Sequence, residues 1–395
     1  MYSKTHSIVS TTLTATHTKK TMADFKGYYN YYYYLCVFVI LTTTTCCSMA
    51  TTSPSDVIKG AYWPSGASDL PPSSIDTTLF THIYYAFLSP NNVTFKFDIS
   101  NSTASMLLDF TSTLHAKKPP VKTLFSIGGA GEDLSIFSNM VSSGHSRRSF
   151  IESSIEVARK FGFSGIDHDW ESPQNPKEME NLGLLLHEWQ AMVHKESKAT
   201  GQAPLLLTAA MYFSVNFFLS DVQRSYPVDS IGKNLDWINA MCYDYHRRWE
   251  TSTTGAQAAL FDPKSNVSTS YGLQSWITAG LPPSKLIMGL PLYGRTWQLK
   301  DPRSHDVGAP AVGVGPGSDA VLTYSMVEAF NRVNNATVVY DIETVSTYSV
   351  AGTSWIGYND VKSTIVKIKF AQALGLHGYF FWAVNDQVRY CASGK

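Results

Sequence analysis

From residue 57 onward, short runs rich in β-formers alternate with stretches of helical periodicity. Strands are predicted at 58–63, 82–88, 121–127, 165–171, 205–212, 237–243, 286–293 and 378–384. Helices are predicted at 102–117, 147–161, 177–198, 271–280 and 361–374. Eight strands mostly separated by helices predict an α/β fold, a (β/α)8 or TIM barrel. An open doubly wound sheet is the rival. Such a sheet usually carries a glycine-rich phosphate turn after its first strand, and Tyr62-Trp63-Pro64-Ser65 is not one.

The gap between the seventh and eighth strands is too long for one helix. Residues 297–357 hold glycine and proline punctuation, a helical stretch at 324–333 and β-like runs at 337–341 and 354–358. They read as a small α+β insertion, which leaves 51–296 and 358–395 for the barrel. Because the insertion follows a strand's C-terminal end, it is expected to wall one side of the active face. The stretch after Trp382 barely holds an eighth helix, so that side of the barrel is expected to be poorly covered.

Residues 1–50 read as lying outside the fold. Residues 1–21 are polar and Thr-rich. Met22, Lys26, the apolar run 31–41 and the small residues Cys46, Cys47, Ser48 and Ala50 form the pattern of a secretory signal peptide with cleavage near Ala50. Met22 is the alternative start. The apolar run is short for a membrane span, although a signal anchor is the competing reading. Secretion to the cell-wall space, or delivery to a vacuole, is expected. Asn92, Asn101, Asn266 and Asn335 each open a glycosylation sequon, which suits that route.

The whole chain balances 31 basic against 31 acidic residues, and without the leader it is mildly acidic. That charge excludes a nucleic-acid partner. No stable membrane association, cofactor or metal is expected, and a monomer is. Of the five cysteines only Cys242 and Cys391 fall beyond residue 50; Cys242 reads as a buried thiol, so the chain is no disulfide scaffold.

The fourth predicted strand carries Asp167, Asp169 and Glu171 at every second position behind the apolar Phe161, Phe163 and Ile166. Residues two apart on a strand share a face, about 6.6 Å apart. Three crowded carboxyls cannot all ionise freely, so one should hold a proton near neutral pH, as a general acid requires. The plainer reading is a solvated acidic edge. An apolar run disfavours it, because buried acids are costly.

In a barrel of this kind the strand ends carry the chemistry. The third strand ends in Ser126-Ile127-Gly128-Gly129, the sixth in Met241-Cys242-Tyr243-Asp244-Tyr245 and the eighth in Phe381-Trp382. Acids ringed by Tyr and Trp suit a sugar, whose apolar face stacks on rings while its hydroxyls meet acids and phenols. Each aromatic taken alone reads more readily as core packing; Trp382 and Tyr243 at strand ends beside the acids shift the balance.

Asp167-His168-Asp169-Trp170-Glu171 after Phe163-Ser164-Gly165-Ile166, with the Ser-Ile-Gly-Gly upstream and Tyr243-Asp244 downstream, resembles glycoside hydrolase family 18, with the plant class V chitinases as the nearest likeness. The resemblance runs from about residue 57 to 384. It implies a hydrolase of chitin or chitooligosaccharides that retains configuration by substrate assistance. Glu171 would be the general acid. Asp169 would orient the substrate acetamide, Asp167 would share a proton with Asp169, and Tyr243 would bond the acetamide oxygen. Trp382 would form the floor of the central subsite. Asp244, Met211 and Tyr212 would line it, with Tyr62, Phe87, Arg295 and Trp297 as flanking contacts.

Four departures from the family pattern stand out. Ser164 replaces an Asp, Ser172 replaces a Tyr, and His246-Arg247-Arg248-Trp249 replaces a glycine-containing loop. His168 replaces an apolar residue between the aspartates and should point outward under a helix. The altered loop makes lipochitooligosaccharide signals, or the chitobiose core of N-glycans, alternative substrates. A lectin or inhibitor on the same fold is the non-enzymatic alternative, although such proteins typically lose the acids retained here.

Overall fold

The computed structural model describes residues 57–66, 70–219 and 221–384. The predicted leader 1–50 and the terminal stretch 385–395, with Cys391, lie outside them. Eight strands are β1 (Ile58–Pro64), β2 (His82–Leu88), β3 (Lys122–Gly128), β4 (Gly165–Asp169), β5 (Leu206–Tyr212), β8 (Trp237–Met241), β9 (Leu286–Pro291) and β16 (Gly378–Trp382). All pair in parallel, and β16 closes onto β1, so the barrel has no free edge. These are the eight strands predicted. A short hairpin, β6 (Asn216–Leu219) with β7 (Val222–Ser225), stands on the loop after β5.

The helices are α1 (Asn101–Ala116), α2 (Leu134–Val141), α3 (Gly144–Lys160), α4 (Pro176–Thr200), α5 (Val228–Asn234), α6 (Thr269–Thr278), α7 (Tyr324–Val333) and α8 (Val361–Ala373). Ser100, Asp133, Ser143, Asn175, Ser268, Thr323 and Asp360 cap seven of them, each side chain accepting a backbone N–H of the first turn. The main core lies between strands and helices, from Phe110, Phe150 and Trp189 to Leu186 and Trp276. The barrel interior is a second, smaller core of Tyr62, Tyr84, Leu124, Trp237, Ile287 and Phe380. Tyr62 and Tyr84 stack there at 4.5 Å between centroids.

A six-stranded sheet follows β9: β10 (Tyr293–Leu299), β11 (Ala311–Val314), β12 (Val321–Thr323), β13 (Thr337–Asp341), β14 (Ser346–Ala351) and β15 (Ser354–Tyr358), with α7 between β12 and β13. The stretch predicted as one strand, 286–293, ends its barrel pairing at Pro291, and β10 starts in the other sheet at Tyr293. Leu292 sits between them, its N–H donating to the carbonyl of Trp382. Both halves have strand character, so local propensity carries no mark of the change of sheet.

Candidate active site

β4 delivers Asp167 and Asp169 to the barrel interior, 0% and 4% exposed. Asp167 is the hub of a hydrogen-bond network drawn from four other strands. Tyr62 Oη and Ser126 Oγ donate to its Oδ2 at 2.8 and 2.7 Å; Thr208 Oγ1 and Asn239 Nδ2 donate to its Oδ1 at 2.5 and 3.2 Å. Ser126 and Thr208 are its direct lateral partners in the barrel register. Four donors occupy both oxygens, the arrangement of a carboxylate rather than of an acid that holds its own proton. Burial still raises its pKa on balance, and the same four bonds offset that only in part.

Asp169 differs in kind. Its Oδ1 is buried and has no hydrogen-bond partner among the described residues. Burial, then the charges of Glu171 and Asp167, hold its carboxyl well above the usual range. Glu171 lies two residues past the end of β4, in the open cleft. Burial raises its pKa, Arg247 pulls it down, and Asp244 pushes it up. All three carboxyls of the trio are thus held above the usual range, so they do not all ionise together near neutral pH.

The glycines at the end of β3, Gly128 and Gly129, make room for this arrangement. Gly128 has φ +111, and a Cβ there would sit 2.2 Å from the Asp169 carbonyl oxygen, which accepts the Gly129 N–H. A Cβ on Gly129, φ +92, would lie 2.5 Å from the Phe87 ring.

A cleft of 360 Å³ opens over the trio, lined by Asp169, Glu171, Tyr212, Tyr243, Asp244 and Trp382 among others. Trp382 stacks on Phe87 at 5.5 Å and meets the edge of Tyr62 at 5.4 Å. Phe87 thus supports the floor from behind. Arg295 holds Asp244 through Nε and a terminal nitrogen, both 2.7 Å from Oδ1. Tyr62 is fully buried beneath the cleft and acts on Asp167.

Two expected contacts need correcting. Met211 is 2% exposed and packs in the outer core. It alternates with Thr208 and Tyr212, which face inward, so it cannot share their side. Trp297 is 1% exposed in the core of the six-stranded sheet, edge-on to Trp355, with its indole N–H on the carbonyl of Glu250. Neither lines the cleft. His168 points outward among Phe137, Phe150, Trp170 and Trp189, as expected, and burial pushes it down to about 3, so it stays neutral.

Sequence reasoning missed Thr208 and Asn239, and read Ser126 only as part of a glycine turn. Their places beside Asp167 come from the barrel register, which is staggered relative to the strand starts. At the mouth of the cleft, sequence reasoning singled out the loop 246–249 but missed the hairpin. Phe217 and Phe218 of the hairpin stand there, with Arg247, Trp249 and Glu250 of the loop after β8. Phe218 and Trp249 are 70% and 66% exposed, an apolar rim of the sort that marks a ligand groove.

A closed barrel with buried acids at the end of β4 and an aromatic floor is the frame of a glycoside hydrolase. Residues 59–387 match glycosyl hydrolases family 18, and the chain belongs to that family. Plant class V chitinases are among its close homologues and its structural neighbours. Nod factor hydrolase protein 1 of Medicago truncatula is 52% identical over 332 residues, 83% of this chain and 86% of its own. Class V chitinase CHIT5b of the same plant is 50% identical over 328 residues, with the same shares covered. The crystal structure of a class V chitinase mutant from Nicotiana tobaccum in complex with NAG4 superposes with a TM-score of 0.81 at 39% identity. It covers 85% of this chain and 97% of that one.

Proposed function

We propose that the protein is a secreted chitinase that cleaves β-1,4 bonds between N-acetylglucosamine units, retaining configuration through its substrate's own acetamide. The observation that carries this reading is the unpartnered, buried Asp169 Oδ1 between the saturated Asp167 and the cleft-lining Glu171. An acetamide N–H would supply the bond that Asp169 lacks. In the first step protonated Glu171 gives its proton to the glycosidic oxygen, and the bond from that oxygen to C1 breaks. The acetamide oxygen, held by a hydrogen bond from Tyr243 Oη, bonds to C1 from the other side and forms an oxazolinium ion. Asp169 takes the N–H and balances the positive charge. Water then attacks C1, gives a proton to the Glu171 carboxylate, and the bond from C1 to the acetamide oxygen breaks. Two displacements retain configuration. Asp244, held by Arg295, is committed elsewhere and need not act as nucleophile.

Mass spectrometry of chitohexaose digests tests the reading. Shorter oligomers should form, and Glu171→Gln should slow cleavage by about 10²–10⁴. Fully deacetylated chitosan oligomers should not be cut; their efficient cleavage would refute the role of the acetamide. The second reading, a lipochitooligosaccharide hydrolase, is favoured by the Medicago relative's name and by the apolar rim, which suits an acyl chain. Side-by-side rates on acylated and plain oligomers separate the two. The leader-like segment and four exposed sequon asparagines support secretion, which N-terminal sequencing of the mature protein would test.

A further inference from the structure

The loop after β8 carries two arginines where the resemblance leads one to expect glycine, and one of them enters the cleft. Arg247 lines it together with Glu171, Asp244 and Trp249. Its Nε donates to the Asp244 carbonyl at 3.0 Å and lies 3.7 Å from Asp244 Oδ2. Its guanidinium sits 5.2 Å from the centroid of the Trp249 ring. Asp244 therefore meets two arginines, and Arg295 alone already matches its charge. One positive charge is left over beside the general acid.

We propose that Arg247 is a positioning residue for Glu171: held by Asp244 and stacked on Trp249, its guanidinium stabilises the carboxylate form that the second displacement uses as base. This rests on the acid–base role given to Glu171 above. The need is electrostatic. Asp244 of the loop after β8 raises Glu171; Asp169 of β4, Tyr243 of the same loop and Tyr226 beyond β7 lie within electrostatic reach of it, and Glu250 lines the same cleft. They are anions or neutral phenols, and burial adds to their effect. The burial and the carboxylates favour the protonated acid, and the neutral phenols bring no positive charge against them. Arg247 is the cation that opposes them, and it also offsets part of the rise that burial causes at the neighbouring Tyr212. It lets Glu171 give up a proton and regain one without being trapped in the acid form.

The test is the pH profile of kcat/KM on chitohexaose for wild type, Arg247→Gln and Arg247→Lys. Removing the cation should raise the pKa of Glu171, so the alkaline limb should move up by about one pH unit in Arg247→Gln. Arg247→Lys, which keeps the charge, should stay near wild type. An active Arg247→Gln with an unmoved limb, or one that changes KM alone, overturns the proposal and makes Arg247 an ordinary substrate contact. If Arg247→Gln does not fold, Trp249→Ala, which removes the ring under the guanidinium, carries the same expectation at smaller size. Glu171→Gln is assayed alongside. Activity surviving in that variant would overturn the acid–base reading itself, and the role of Arg247 with it; a dead Glu171→Gln beside an unmoved Arg247→Gln limb refutes Arg247 alone.

Discussion

Gly289 does not line the cleft, yet Gly289→Ala should slow the enzyme. It lies on β9, paired in register with Phe380. An added Cβ would come within 2.7 Å of the Ala240 carbonyl oxygen, 2.7 Å of Phe380 Cζ and 2.8 Å of Tyr243 Cε1. Each approach is about 0.6 Å or more inside the 3.4 Å at which ordinary contact begins. The carbonyl belongs to β8 and cannot move without breaking the barrel ladder, so the two rings must yield. Displacing packed rings in this way costs about 1–3 kcal/mol of stability. Tyr243 would be pushed by several tenths of an ångström, and a misplacement of that order should lower kcat about tenfold or more. Urea unfolding reads the first effect and steady-state hydrolysis of chitohexaose the second. The loss should be non-additive with Tyr243→Phe, because both act through one hydroxyl. Wild-type kcat together with a wild-type unfolding midpoint would refute the reasoning; a lowered midpoint with normal kcat would show that Tyr243 is not the ring displaced.

Two further outcomes are expected. Trp382→Ala should raise the Kd for chitooligosaccharides about tenfold or more by isothermal titration, because the sugar loses its aromatic floor and Phe87 behind it does not replace the indole; unchanged affinity would remove Trp382 from the subsite. Lys367 is buried, donates to the Ala258 carbonyl and Asn359 Oδ1, and is pushed down to about 7 from 10.5 by burial. Its folded pKa lies below its unfolded one, so between these values the unfolded chain binds the proton better and stability rises with pH. From pH 7 to pH 9 wild type should gain about 2 kcal/mol relative to Lys367→Met. Equal pH slopes for the two proteins would refute it.

Strand and helix alternation is a local signal, and all eight barrel strands were legible from it. So was the clustering of Asp167, Asp169 and Glu171, because a period of two is a property of one strand. Less was legible wherever the signal was weak or the partner distant. The short α2 and α5 and the β6–β7 hairpin carry too few residues for a clear period, and with the hairpin went Phe217 and Phe218. Trp297 and Trp382 look alike as aromatics near strand ends. One is core of the second sheet and the other the floor of the cleft, because the chain leaves the barrel at Leu292. Met211 could have been set aside by alternation with Thr208 and Tyr212.

By itself, then, the sequence determined the eight-stranded frame and which stretch carries the acids. Tertiary structure decided what each acid can do. Asp167 is saturated by Tyr62, Ser126, Thr208 and Asn239, from positions 105, 41, 41 and 72 residues away, while Asp169 is left with an open oxygen. Those partners meet only when the barrel closes in register. A carboxyl's protonation depends on the burial and charges around it, and neither exists until the strands that supply them are side by side.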